Sequence, residues 1–450
     1  MRRWSAQQVA SAAGAQLVRD PATNGEGPEQ ATIDSRGDVA GALFVGLPGE
    51  RVDGGAYAPA ALRAGAWGAV VAPEHVEATL HGAMTGAVLV AERPLAALQR
   101  LAWAWRRELA AKVIGVTGST GKTTTKDLLR GLLESQRRTV ASRANHNTEI
   151  GLPLEILAAP PGTEVLVLEM AMRGAGQIAE LARIAEPDVG VIVSIGPVHL
   201  ELLGSIEAIA AAKAELIAGL EPGATAIVPA GESLLVPHLR ADLRTLTFGE
   251  AGDIRFVAQS LDAVTIAAAG QRVDLEVDFT AAHLRQDLLA AVAAAVAAGV
   301  IPSGRLALEL SAGRGQARAL PGGVTLLDDA YNANPVSMRA ALAVLAQTPS
   351  AGRRIAVLGD MLELGPAAAE HHREIGRVAA DSADLLVTVG PLAAVMAEAF
   401  GGESHVTADA AAAAGRLAEL VRPGDVVLVK GSNGVGLSQV CAAIGGTVAA

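Results

Sequence analysis

The residues best suited to phosphate chemistry stand together in KVIGVTGSTGKTTTK, Lys112 to Lys126. A β-branched run, Val113, Ile114 and Val116, leads into Gly118, Ser119, Thr120, Gly121, Lys122, Thr123 and Thr124, and a helical pattern follows through Leu128, Leu129, Leu132 and Leu133. Strand, glycine-bearing loop and helix in that order make a phosphate loop. The glycines let backbone N–H groups turn toward phosphate oxygens, and the helix N-terminus adds its partial positive charge. Lys122 reaches the outer phosphates, and the Thr123 hydroxyl can ligate Mg²⁺. The strict pattern asks for glycine where Val116 stands, so the match is to a shorter GxxGKT loop preceded by Thr117. A glycine-rich turn with a solvated lysine is the alternative, and the order of strand, GKT and helix weighs against it.

Three further residues could act beside that loop. Glu169 ends the apolar strand starting at Val165, and His199 follows the strand Val189 to Ile195. In a parallel sheet the residues after strand C-termini gather at one edge, which is where ligands bind. Each alone reads equally as a turn residue; their shared placement points to metal ligation. In SIEAIAAAKAELIAGL the apolar stripe runs Ile206, Ile209, position 213, Leu216, Ile217 and Leu220, so Lys213 occupies the inward face, with Glu215 two residues on. Desolvation favours the neutral amine, which can act as a nucleophile or accept CO₂ as a carbamate. The other reading is a lysine stem lying on apolar surface with its ammonium in water.

The elements that must position these groups are α/β throughout. At 450 residues the chain has room for about three domains. Residues 1–110 read as a small α/β unit with turn-rich links such as PATNGEGPEQ; Ser35 and Arg36 there sit on a loop before a strand, as an anion site or as a plain surface turn. Residues 111–321 alternate strands and helices in the βαβ manner, and residues 322–450 do so again as a second doubly wound parallel sheet. Links near 108–111 and 311–323 are expected to join three separately packed units. The ends of the third unit's strands carry Asp328-Asp329, Gly359-Asp360, Gly390 and Lys430-Gly431-Ser432, a second ligand edge.

Composition narrows the function. Thirty-six basic against 47 acidic residues and 2% aromatics disfavour general nucleic-acid binding. The lone Cys441 excludes an internal disulfide framework. Leu288 to Ile301, the longest apolar run, is too short and too alanine-rich to span a bilayer and reads as a buried helix. Arg2 and Arg3 resemble the start of an export signal, but Ser5 to Gln8 is a capping box with no apolar segment behind it. The expectation is a cytoplasmic monomer without membrane insertion.

These motifs in this order resemble the Mur ligase family of ATP-dependent amide-forming enzymes over essentially the whole chain. The carriers are TGSTGKT at Thr117, NHNTEIGLPLEIL at Asn145, LEMAMRGAGQI with Glu169, GPVHLELLGS with His199 and AAKAEL with Lys213. DSRGDVAGALFVGLPGERVDG resembles the family's N-terminal uridine-nucleotide region. DDAYNANPVSM at Asp328, VLGDMLELG at Val357 and KGSNGVGL at Lys430 resemble the members that join D-alanyl-D-alanine to UDP-N-acetylmuramoyl-tripeptide in peptidoglycan synthesis. The resemblance implies an N-terminal uridine-nucleotide domain, a central ATPase-like domain and a C-terminal Rossmann-like domain. It implies ATP bound by Gly118 to Thr124 with Asn147, Arg314, Asp329, Asn332 and Asn334, and UDP-substrate contacts at Ser35 and Arg36. It also implies two Mg²⁺ ions, one at Thr123 and Glu169 and one at His199 and a carbamylated Lys213, with Lys122, His199 and Lys213 catalytic. Single-amino-acid and folate ligases are the sibling alternatives; a nucleotide switch with a degenerate site would lack Lys122, Glu169 or His199. Three departures stand out: Gly55 where the family usually has His, Leu284 after His283 where it has Asn, and Asn433 where it has Arg.

Overall fold

The computed structural model describes residues 1, 3–21, 26–143 and 145–447. Arg2 and residues 22–25 of the first turn-rich link lie outside them. Ser5 caps the opening helix, Ala6–Ala13, as its sequence predicts: Ser5 Oγ accepts from Gln8 N at 3.3 Å and Gln8 Oε1 accepts from Ser5 N at 2.8 Å. Among the described residues the strands form sheets of five, ten and six, and no helix is long and apolar enough to cross a membrane.

In the first sheet Ala31–Thr32, Leu43–Val45, Gly68–Val71 and Ala87–Val90 run parallel, and Gln16–Arg19 pairs antiparallel with the last. This unit is not separately packed, contrary to the expectation that a link near residues 108–111 joins separately packed units. The helix Pro94–Leu109 lays Leu98, Leu101, Ala102 and Trp105 into an apolar cluster that also contains Leu152, Ile156, Leu166, Met170 and Ile178 of the central unit. Polar contacts reinforce the join. Trp105 Nε1 donates to Ala159 O at 3.0 Å, Arg106 Nε to Ala185 O at 2.8 Å, and Arg107 pairs with Glu186 at 2.7 Å.

The central sheet begins with six parallel strands in the order Thr139–Ala141, Val165–Glu169, Lys112–Thr117, Val189–Ile192, Thr225–Pro229 and Arg244–Phe248. The four inner strands are nearly continuous apolar runs buried on both faces, whereas the outer Thr139–Ala141 and Arg244–Phe248 are only partly buried. The βαβ alternation then stops. Ile254–Gln259, Ala263–Ala268 and Gln271–Val277 form an antiparallel meander, and every second residue of the last two is buried. That period-two alternation is what a sheet with one wet face requires. Behind the parallel strands the helix Ala282–Ala297 is buried from Asp287 to Ala295, in agreement with its reading as a core helix.

The third sheet has Thr325–Asp329, Val426–Lys430, Arg354–Gly359, Leu385–Val389 and Glu403–Thr407 in parallel register, with its own apolar clusters on either face. Part of the expected link, Gln316–Ala319, joins it as an antiparallel edge strand. Gly322 and Gly323, with φ of 69° and 72°, turn the chain between that strand and the next, so residue 321 lies inside a connected strand pair.

Candidate active site

The phosphate loop links Lys112–Thr117 to the helix Lys122–Glu134, which begins at Gly121 with φ of 79° and no side-chain cap. The first-turn N–H groups are thereby left for an anion. Gly121 is also required sterically, because a Cβ there would lie 2.3 Å from Asp287 Oδ1. Ser119 and Thr120 shape the loop: Ser119 Oγ donates to Gly196 O at 3.0 Å, and Thr120 N donates to Ser194 Oγ at 2.9 Å. Lys122 folds back over it, Nζ donating to Gly118 O at 2.7 Å. Burial lowers the Lys122 pKa; Glu169 opposes that shift and Arg314 adds to it.

Three strand ends and one helix bring the metal-ligand candidates to this loop. Thr123 Oγ1 donates to Glu169 Oε2 at 2.9 Å, and Asn147 Nδ2 donates to Glu169 Oε1 at 2.8 Å. Glu169 is 1% exposed, and Ser142 Oγ accepts from its backbone N at 2.9 Å. Lys213 is 2% exposed, on the buried face of Ile206–Ala218 as its stripe predicts. Its Nζ has no hydrogen-bond partner among the described residues, and burial, aided by nearby Lys122, pushes its pKa well down. Glu215 is not its counter-charge: its carboxylate accepts from Gly176 N at 2.6 Å and Ala179 N at 3.0 Å, at the start of the helix Gln177–Ala185.

The third unit forms the facing wall of a cleft of about 900 Å³ that Lys122, Thr124, Glu169, His199 and Lys213 also line. Arg314 stacks 4.0 Å over the Tyr331 ring. Asp329 and Lys430 are register partners at adjacent strand ends and pair at 2.6 Å; Lys430 also donates to Asn332 O at 3.0 Å. Asn334 caps the helix Pro335–Gln347, its Oδ1 accepting from Ser337 N at 2.9 Å. Ser35 and Arg36 do not line this cleft. They sit at the C-terminal edge of the first sheet, where Arg36 pairs with Asp34 at 2.9 Å. At the same edge a Cβ on Gly55 would lie 2.2 Å from His75 Cδ2, so the His75 ring fills the space beside this glycine.

Residues 116–295 match the Mur ligase middle domain, residues 313–433 the Mur ligase glutamate ligase domain, and residues 29–105 the Mur ligase family catalytic domain. The chain belongs to the Mur ligase family. A UDP-N-acetylmuramoyl-tripeptide–D-alanyl-D-alanine ligase of Synechocystis sp. is 39% identical over 418 residues, 90% of each chain. A crystal structure of MurF from Acinetobacter baumannii superposes with a TM-score of 0.85 at 29% identity, covering 98% of both chains. MurF from Thermotoga maritima in complex with ADP superposes with a TM-score of 0.79 at 29% identity, covering 93% of this chain and 98% of that one.

Two further residues of this Mur ligase line the cleft beside the candidates named from its sequence. Glu363 reaches His199 from the third unit; its only signal is its place inside VLGDMLELG. Asp287, 7% exposed, lines the cleft beside His283 and Leu284, and its carboxyl makes no hydrogen bond to a described residue. Burial raises its pKa well above the usual carboxylate range. A raised folded-state pKa gives stability that is complete below the unfolded value and lost as pH climbs through the folded one. Asp287→Asn should therefore raise the melting temperature by about 2–4 °C at pH 8 and by much less at pH 5. Equal gains at both pH values in thermal unfolding would remove the ionisation argument.

Proposed function

We propose that this Mur ligase joins D-alanyl-D-alanine to UDP-N-acetylmuramoyl-tripeptide, using ATP, in the synthesis of peptidoglycan precursors. The observation that carries the reading is the two-walled cleft: phosphate loop, Glu169 and Lys213 on the central unit face Arg314, Asp329 and Lys430 on the third. The relatives of matching length carry that activity in their names.

The chemistry asks for two steps. A substrate carboxylate oxygen bonds to the γ-phosphorus of ATP, releasing ADP and leaving an acyl phosphate. The amine of D-alanyl-D-alanine then attacks the acyl carbon, and phosphate departs as the amide forms. Gly118 to Thr124 hold the triphosphate through backbone N–H groups and Lys122. Arg314, held against Tyr331, adds positive charge on the facing wall. Asn147, Asp329, Asn332 and Asn334 complete the nucleotide contacts, and Ser35 with Arg36 receives the uridine nucleotide. Mg²⁺, when bound, neutralises charge between ATP and the substrate carboxylate. Thr123 and Glu169 would hold one ion, and His199 with a carbamate on Lys213 would hold the second. The donor sets fit: the Thr123–Glu169 oxygen pair suits a hard cation, and Lys213 is a buried amine without a hydrogen-bond partner among the described residues.

The deciding experiment is a phosphate-release assay with ATP, UDP-N-acetylmuramoyl-tripeptide and D-alanyl-D-alanine. Release should require all three. Turnover with a single amino acid in place of the dipeptide, and none with the dipeptide, would move the chain to a sibling activity.

A further inference from the structure

We infer that Glu363 is a positioning residue for His199, holding the imidazole by Nδ1 so that the free Nε2 faces the cleft only while the third unit is docked. The inference rests on the proposed metal role of His199 and adds the group that orients it.

Three observations support it. Glu363 Oε2 is hydrogen-bonded to His199 Nδ1, whereas Nε2 has no hydrogen-bond partner among the described residues. A second contact joins the same two segments, Glu201 N donating to Glu363 O at 3.3 Å. Both residues lie in the left-handed region, His199 at φ 53° and Glu363 at φ 64°. Of the other described non-glycine residues there, Ala110 and Glu186 end helices and Ala269 turns between paired strands. Only His199 and Glu363 meet each other, and they do so across the boundary between two units. Uncommon backbone conformations persist where the surrounding contacts determine them, and they concentrate at functional sites.

The loop carrying Glu363 is held to the third unit before it meets the second. Met361 N donates to His372 Nε2 at 2.9 Å, Leu362 N donates to Ser432 Oγ at 2.9 Å, and Met361 and Leu364 are buried. Gly365, at φ 61°, brings the backbone close to the short helix Leu200–Leu203: a Cβ there would lie 3.4 Å from Glu201 Cα. Glu363 therefore moves with the third unit. A carboxylate on one imidazole nitrogen fixes the tautomer and ring direction of the other as a ligand. Withdrawal of the third unit would release the ring, so full metal binding, and with it phosphoryl transfer, would wait until the third unit is docked.

The test reads the ring and the metal separately from turnover. In ¹⁵N NMR of the wild-type chain at pH 8, with His199→Ala to assign the signal, His199 should be protonated on Nδ1; protonation on Nε2 would overturn the inference without any variant. Mn²⁺ titrations followed by electron paramagnetic resonance, with a non-hydrolysable ATP analogue present, should show Glu363→Gln and Glu363→Ala weakening one site by about 10- to 100-fold. If His199→Ala weakens that site and both Glu363 variants bind Mn²⁺ as wild type does, the inference fails and the metal role of His199 stands. If His199→Ala also binds as wild type does, the metal role itself fails, and the inference with it.

Discussion

Lys122→Ala is expected to fold normally and to turn over at least about 10³-fold more slowly, the range lost when a charge aimed at transferring phosphoryl oxygens is removed. Lys122 lies over the phosphate loop with Nζ on Gly118 O, at the mouth of an uncapped helix. Its burial already disfavours the ammonium, so alanine relieves a desolvation cost while giving up one hydrogen bond. Fold and activity should therefore separate, and phosphate release measured beside thermal unfolding would show it. Near-normal turnover in a folded Lys122→Ala chain would remove the phosphate-loop assignment.

The second large effect is expected at Lys213. Lys213→Ala should cost most of the activity, because the proposed carbamate converts a cationic side chain into an oxygen ligand and alanine provides none. A small carboxylic acid in solution should restore part of the rate by occupying the vacated position. Lys213→Arg should not help, since a guanidinium stays cationic. Lys112→Ala, at an exposed strand start away from the cleft, is the control and should change little. Stability should move the other way. A buried lysine with a lowered pKa is penalised at neutral pH, and the penalty disappears as pH rises to the unfolded value of about 10.4. Lys213→Met should thus melt higher than the parent at pH 7 in CO₂-depleted buffer, with the gain shrinking toward pH 10. A Lys213→Ala chain that kept near-normal activity across a range of Mg²⁺ concentrations would make this lysine a packing residue only.

Much of the site was legible from local pattern, because its parts are encoded within a few residues of each other. The run Val113 to Thr123 names its own strand, loop and helix, and the stripe through Ile206, Ile209 and Leu216 forces Lys213 inward whatever packs against it. Parallel strands such as Val165–Glu169 and Leu385–Val389 are continuous apolar runs, so their ends, and the residues after them, could be placed.

What the sequence by itself determined, then, was the kind of groups available and the edges they stand on. Which of them meet was decided by tertiary structure, since contacts between distant segments leave no periodic trace in either one. Glu215, two residues from Lys213, caps another helix, while Glu363, 164 positions from His199, holds its ring. The helix Pro94–Leu109 fuses two units on either side of the link near residues 108–111, because its apolar face finds Ile156 and Leu166 rather than solvent. Gln316–Ala319 becomes a strand only because Thr325–Asp329 offers an unpaired edge beside it.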